Sequence, residues 1–366
     1  GLLGGLAVLL GAPRIFNRYY ELPASVLLLA GVAFLNLRRD AGRWRRFKTL
    51  PVFGLVLLGS AQILHEAGMP GQSYRDAYGM VQVDVQREGR VKVLLDGRTV
   101  HGLERLDDPL AKVAYYQPES GIGRALAVAR RGKPTLKLGV LGLGVGNVLA
   151  YGQAGDQASI YEISPKIVRL AGPAAEQFSV VRRSPARTEI RVGDGRFTLE
   201  QEGKQGGKGF DLLLVDAFSG GNLPWHLLTR EAFATYLRNL DYQGYLVVNA
   251  TNRLPVDRLI LANALAMNLC AAVIECPGAD NRAVLGPLER HSVFVVLCRN
   301  WAALDHPEFL SSARALLVPG APPTGGALAQ KMAAGLASAR QVQPWTDDRN
   351  SLSRLLLLSA SAPARY

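Results

Sequence analysis

The chemistry in this chain begins with a glycine loop and three acidic side chains that follow it at strand ends. The run Val140-Leu141-Gly142-Leu143-Gly144-Val145-Gly146-Asn147 follows a hydrophobic stretch and opens a helix. Gly142, Gly144 and Gly146 permit a tight turn and let a ligand approach the backbone, while a helix start presents free N–H groups. Alone, G-x-G-x-G serves equally as a packing turn. Glu162, sixteen positions after Gly146 at the end of the next strand, adds a carboxylate able to accept from both hydroxyls of a ribose. Together they point to a bound nucleoside. Two more aspartates occupy the same register. Asp194, in Gly193-Asp194-Gly195-Arg196, is placed to meet an adenine amino group, with Gly195 beside it. Asp216 ends the following strand and faces the reacting end of the ligand. An aspartate after a run of buried strand residues is rarely there for packing, because desolvating its charge costs energy.

The elements that must hold these residues follow from the hydrophobic rhythm. Strands are expected at Leu138 to Leu141, Ala158 to Ile163, Thr188 to Val192, Leu212 to Val215 and Tyr245 to Ala250. Helices are expected between them, one opening at Gly146 to Tyr151 and another over Pro165 to Phe178. Strands alternating with helices imply a parallel, doubly wound sheet. His291 to Arg299 suits an antiparallel hairpin at the sheet edge, and Gly320 to Gly326 a loop before a last helical stretch. Cys270, Cys276 and Cys298 form no C-x-x-C pair, which leaves buried free thiols and no metal site.

Ahead of this domain the composition changes. Gly1 to Ala12, Leu22 to Leu37 and Leu50 to Leu64 are apolar runs shorter than the ~20 residues that span a bilayer, with flanking residues able to extend them. Between the second and third lies a basic hinge of Arg38, Arg39, Arg43, Arg45, Arg46 and Lys48 with Trp44, the pattern of membrane helices. The hinge also accounts for part of a net charge of +12 across 366 residues, and basic residues elsewhere are not interleaved with aromatics as nucleic-acid binding requires. No initiator Met or charged leader precedes the first run, so these helices read as the end of a longer membrane region. Gly68, Pro70 and Gly71 break the last helix. Tyr78 to Gln86 and Arg90 to Leu95, joined through Arg87-Glu88-Gly89, read as a hairpin, followed by the Asp96-Gly97 turn and Thr99 to Gly102.

The order of glycine loop, Glu162, Gly-Asp-Gly and Asp216, preceded by Leu95-Asp96-Gly97 and Tyr115-Tyr116, resembles the spermidine synthase (aminopropyltransferase) family. It is most similar to the bacterial branch in which such a domain is fused behind membrane helices. Pro224, His226, Leu227 to Phe233 and Trp345-Thr346-Asp347-Asp348 extend the likeness over roughly residues 72 to 360. The resemblance implies an α/β chain: membrane helices over 1–68, a small antiparallel β unit and linker over 72–134, and a Rossmann-like S-adenosylmethionine-transferase domain over 135–366. It implies decarboxylated S-adenosylmethionine as donor, a small amine acceptor and no metal. Gly142, Gly144, Gly146, Glu162, Asp194 and Gly195 would hold the nucleoside, and Asp216 would orient and deprotonate the amine. Tyr116 and His226 join Asp216 as catalytic candidates, with His101 and Tyr115 also facing the acceptor pocket. Trp345, Asp347 and Asp348 read as a helix cap.

The departures are as specific as the matches. Soluble spermidine synthases carry an aspartate where this loop has Val145, and a second one after the catalytic residue where this chain reads Ala217, Phe218, Ser219, Gly220, Gly221. The donor site is kept and the diamine site rebuilt. S-adenosylmethionine-dependent methyl transfer and a non-catalytic nucleoside- or polyamine-sensing domain regulating a membrane partner are therefore the alternatives. Placement in a bacterial inner membrane is expected, and a homodimer is compatible with the resemblance. The side of the membrane stays open, because a cytoplasmic hinge followed by a spanning third run would put the domain outside, away from its cofactor.

Overall fold

A computed structural model of the chain describes residues 4–5, 8, 11–39, 45–68, 71–86, 89–97, 99–218, 224–278, 290–320, 325–350 and 353–360. Hinge residues 40–44, including Trp44, the joint at 87–88, residues 219–223 after the catalytic candidate, and 321–324 of the late loop lie outside them. The chain divides into two compact units, Gly1–Asp84 and Val85–Tyr366.

In the first unit the second and third apolar runs form helices Glu21–Arg39 and Arg45–Gly68. Gly59 lets them approach, since a methyl group there would lie 2.9 Å from the Leu27 side chain. Within Arg45–Gly68, the stretch Thr49–Gly68 is long and apolar enough to cross a membrane, whereas the apolar part of the other helix, Glu21–Leu37, is shorter than that. Most of the first apolar run is outside the described residues. Strand β1 (Gln72–Asp76) pairs antiparallel with β2 (Gly79–Gln86), and Asp76 Oδ1 accepts from the Tyr78 amide at 2.8 Å to close the turn. Arg75 on β1 is buried in a fork to Glu21 and stacks 4.2 Å above the Tyr19 ring.

The second unit opens with an antiparallel hairpin, β3 (Val91–Asp96) and β4 (Thr99–Arg105). Leu94 faces Gly102 and Leu95 faces Val100, so His101 is the extra residue of a β-bulge. Among the described residues the main sheet has eight strands, in the order β12 (Ala313–Leu317), β10 (Cys270–Cys276), β11 (Ser292–Cys298), β9 (Leu240–Asn249), β8 (Phe210–Val215), β5 (Lys137–Leu141), β6 (Gln157–Glu162), β7 (Arg187–Val192). Strands β5 (Lys137–Leu141), β6 (Gln157–Glu162), β7 (Arg187–Val192), β8 (Phe210–Val215) and β9 (Leu240–Asn249) are parallel. Their order reverses between β5 and β8, the switch point where open α/β sheets leave a crevice at the strands' carboxyl ends. The glycine loop leaves β5 and Asp216 leaves β8. Both sides of this crevice were thus set by topology.

Three expectations need correcting. The glycine loop opens a five-residue 3-10 turn, Asn147–Tyr151, and not an α-helix, because Gly152 and Gly155 turn the chain into β6 at Gln157. The helix after β6 is Pro165–Ala171, ending at Gly172 well short of Phe178. Strand β11 (Ser292–Cys298) is antiparallel as expected but lies inside the sheet, paired with β9 and with β10 (Cys270–Cys276), while β12 (Ala313–Leu317) forms the edge. All three cysteines are buried free thiols.

Candidate functional site

Each glycine of the loop has a left-handed backbone, with φ of +94° at Gly142, +52° at Gly144 and +85° at Gly146. Space forbids a side chain as firmly as conformation does. A methyl group at Gly142 would fall 2.4 Å from the Asp216 carbonyl oxygen, and one at Gly144 2.8 Å from that of His101. The loop is therefore wedged between the end of β8 and the bulge of β4. Asn147 fixes its far end, donating to the Leu103 carbonyl at 2.8 Å and accepting from the Leu103 amide at 3.3 Å. Val145 is buried, and its side chain fills the space over Gly102.

Glu162 is 7% exposed and braces the loop from below. Its Oε2 accepts from the Leu143 amide and its Oε1 from the Ser164 amide, both at 2.8 Å. The side chain read as a ribose acceptor is also the strut of the glycine turn.

Asp194 caps helix Gly195–Lys204, its Oδ1 accepting from the Phe197 amide at 2.9 Å. Its Oδ2 meets His226 Nε2 at 3.1 Å. The His226 bond, with help from the Phe197 amide, holds the Asp194 carboxyl down at about 2. Gly195 lets this helix start close on the sheet, since a methyl there would touch Leu141 and Tyr161 at 3.0 Å. Trp345 packs on Trp225 with ring centroids 5.0 Å apart. Asp347 forks onto Arg196 at 2.8 and 2.5 Å, five residues or more before the next helix, Ser353–Ala360, so it is an ion-pair partner and not a helix cap.

The second cluster surrounds Asp216. Its Oδ2 accepts from the Tyr116 hydroxyl and its Oδ1 from Asn249 Nδ2 at 2.8 Å. Tyr116 and Asn249 are buried, and burial pushes the Asp216 carboxyl up to about 6 against the pull of those two bonds. Tyr116 is driven well above its ordinary value, first by burial and then by the neighbouring carboxylate, so it stays a donor. Buried Ala114 carries Tyr115 and Tyr116 from a left-handed backbone (φ +57°), an uncommon conformation for a residue with a Cβ. Its carbonyl accepts from Gln117 Nε2 at 2.8 Å and from the Arg290 amide at 3.1 Å. Tyr115 donates to the Val100 carbonyl at 3.2 Å. Among the described residues the bulged His101 has no hydrogen-bond partner for its buried Nε2, which lies 3.7 Å from Asp96, and burial lowers its pKa.

Tyr116 and Asp216 are thus brought together, while His226 goes to Asp194. Asn249 and Tyr151 were missed by the sequence reading. Asn249 carried the signal used for Asp216, a polar residue ending a run of buried strand positions. Tyr151 carried none. Among the described residues no group of three or more His, Cys, Asp or Glu side chains is arranged to hold a metal.

No protein-family model matches the chain. Over 113 residues it is 34% identical to a polyamine aminopropyltransferase of Vibrio vulnificus, a stretch that covers 30% of this chain and 36% of that protein. Its fold matches the crystal structure of a probable spermidine synthase from Corynebacterium glutamicum with a TM-score of 0.52 at 16% identity, over 78% of this chain and 99% of that one. A spermidine synthase from Thermotoga maritima aligns at 14% identity with a TM-score of 0.46, over 73% and 82% of the two chains. The chain has an α/β Rossmann-like fold, shared with that probable spermidine synthase, with antiparallel hairpins ahead of it in the sequence. The sequence likeness to the polyamine aminopropyltransferase is confined to that 113-residue stretch, so the chain spans about a third of the length of the curated relative it matches.

Proposed function

We propose that the chain is a membrane-anchored aminopropyltransferase that takes decarboxylated S-adenosylmethionine as donor and a small amine as acceptor. The observation that carries this reading is the Asp216 carboxylate, held by Tyr116 and Asn249 at the switch point and touching the glycine loop through its own backbone. The nucleoside would lie along Gly142 to Gly146, with Glu162 toward the ribose and Asp194 and Gly195 toward the base. The acceptor nitrogen attacks the propyl carbon attached to sulfur. The N–C bond forms, the C–S bond breaks with its electron pair passing to sulfur, and neutral methylthioadenosine leaves. The proton lost by nitrogen goes to Asp216. A carboxyl poised near 6 is ionised at neutral pH yet basic enough to accept it. Orientation of the amine in line with the C–S bond supplies the rest.

Anchoring rests on the first unit. Thr49–Gly68 has the length and composition of a span, and Leu28, Leu29, Leu35, Phe53, Leu57 and Leu64 are exposed on its two helices. The test is to incubate the purified protein with decarboxylated or ordinary S-adenosylmethionine and a panel of amines, and to follow products by mass. Release of methylthioadenosine with an aminopropylated amine is expected. Absence of binding by methylthioadenosine and by both donors in calorimetry overturns the reading. Flotation with anionic vesicles, lost on deleting residues 1–68, tests the anchor.

A further inference from the structure

Tyr151 closes the 3-10 turn that continues the glycine loop, and its hydroxyl has a specific task. It donates to the carbonyl oxygen of Tyr116 at 2.7 Å. The Tyr116 hydroxyl in turn donates to Asp216 Oδ2. At its other end the same loop meets the Asp216 backbone at Gly142. The loop therefore grips the Asp216–Tyr116 pair at two points, one through main chain and one through Tyr151.

The surroundings leave the Tyr151 hydroxyl little freedom. Gly123, on the helix Gly121–Ala129, approaches so closely that a methyl there would come 2.8 Å from the hydroxyl oxygen and 2.4 Å from the Gln117 carbonyl. Lys112 Nζ lies 4.7 Å from the centre of the Tyr151 ring. Tyr151 forms part of the wall of a cavity of about 540 Å³ shared with Lys112, Glu119 and Arg130. Burial, with Glu119 adding, raises the phenol far above its ordinary value and keeps it a neutral donor.

We propose that Tyr151 is a positioning residue that couples the donor-binding loop to the acid–base pair, holding the Tyr116 hydroxyl on Asp216. Its hydroxyl contact is the Tyr116 carbonyl. Its effect passes through the Tyr116 main chain, and it sharpens the aminopropyl-transfer reading without being needed for nucleoside binding.

The experiment is Tyr151→Phe, which deletes only the hydroxyl, read first by the carbon-13 titration of the Asp216 carboxyl in the full chain, with Asp216→Asn assigning the resonance. The titration is expected to move upward from about 6 toward that of Tyr116→Phe. The double variant Tyr151→Phe/Tyr116→Phe should titrate like Tyr116→Phe alone, because both changes act on one bond. Methylthioadenosine affinity should stay within about twofold, while kcat with decarboxylated donor falls about fivefold, less than a tenfold loss worth ~1.4 kcal/mol. An unmoved titration, or single effects that add in the double variant, overturns the proposal. Lys112→Met strips the cation from the ring and leaves the hydroxyl. A shift there as large as in Tyr151→Phe would assign the effect to packing and overturn it too. If no amine is aminopropylated by the unaltered protein, the function fails while the titration still decides the role of Tyr151.

Discussion

Replacing Tyr116 by Phe removes one of the two hydrogen bonds that hold the Asp216 carboxylate ionised. Burial raises this carboxyl to about 6 although both bonds oppose the rise, so losing one must raise it further. A hydrogen bond to a charged group is worth about 1.5–3 kcal/mol and one pKa unit is 1.36 kcal/mol, which gives a rise of roughly one to two units. At pH 7 the ionised fraction would drop from about 0.9 to between about 0.5 and 0.1, a loss of roughly two- to tenfold. The assay is the pH dependence of kcat/KM for methylthioadenosine release, which reports the free enzyme and hence the unliganded geometry. The rising limb, centred near pH 6 in the unaltered protein, should move to roughly pH 7–8, with most of the rate recovered above it. A rising limb that stays put, or a rate loss independent of pH, would refute Asp216 as the base that Tyr116 tunes.

Four more outcomes follow from the same geometry. Asp216 is raised on folding, so its ionised form disfavours the native state: stability should fall as pH rises from about 4 through about 6, and Asp216→Asn should lack that fall, read from thermal midpoints at pH 4 and pH 8. Asp194 is shifted the opposite way, to about 2, so its contribution is present above the unfolded value near 3.8 and is lost as pH falls through 2. Partial exposure screens it to about 1 kcal/mol, and His226→Ala should remove most of that, seen as a smaller stability difference between pH 5 and pH 2. Gly142→Ala should abolish methylthioadenosine binding and cost about 1–3 kcal/mol in a denaturant titration, because the added carbon lands 2.4 Å from the Asp216 carbonyl at a left-handed backbone. With Val145 packed over Gly102 instead of offering a carboxylate, putrescine should be turned over no better than butylamine within about threefold in kcat/KM. A tenfold preference for the diamine, ~1.4 kcal/mol, would show another group holding its second charge.

What was legible in the sequence was the part written in local patterns. Buried runs such as Phe210–Val215 and Gln157–Glu162 announce strands, and the glycines and Asp216 announce where those strands end. Sheet order was less readable. The late strands β10 and β12 were overlooked because Cys270–Cys276 and Ala313–Leu317 are short apolar runs with no alternation, which period alone cannot separate from helix. The 3-10 turn was hidden for the opposite reason. Its sequence, Asn147 to Tyr151, suits a helix, and what stops it is the fifteen residues available between β5 and β6, five of them glycines, the last two at 152 and 155. The contact partners of site residues were least readable, since His226 to Asp194 and Tyr116 to Asp216 join positions 32 and 100 apart.

The glycine loop does more than cradle a ligand, and this bears on how the two halves of the reaction are linked. Glu162 holds it through the Leu143 amide, Asn147 ties it to β4, and Gly142 rests on the Asp216 carbonyl. Each contact joins the loop to a different strand, and those at Glu162 and Asp216 use groups also named for binding or catalysis. A loop held this way cannot shift toward a nucleoside without moving the backbone of Asp216 or breaking a buried hydrogen bond, either of which is costly. Under the proposed function, the loop that would hold the donor and the backbone that carries the base form one braced framework. Substitutions at the brace, such as Glu162→Gln, should lower donor affinity and kcat together, whereas substitutions in the Tyr116 bond should spare affinity.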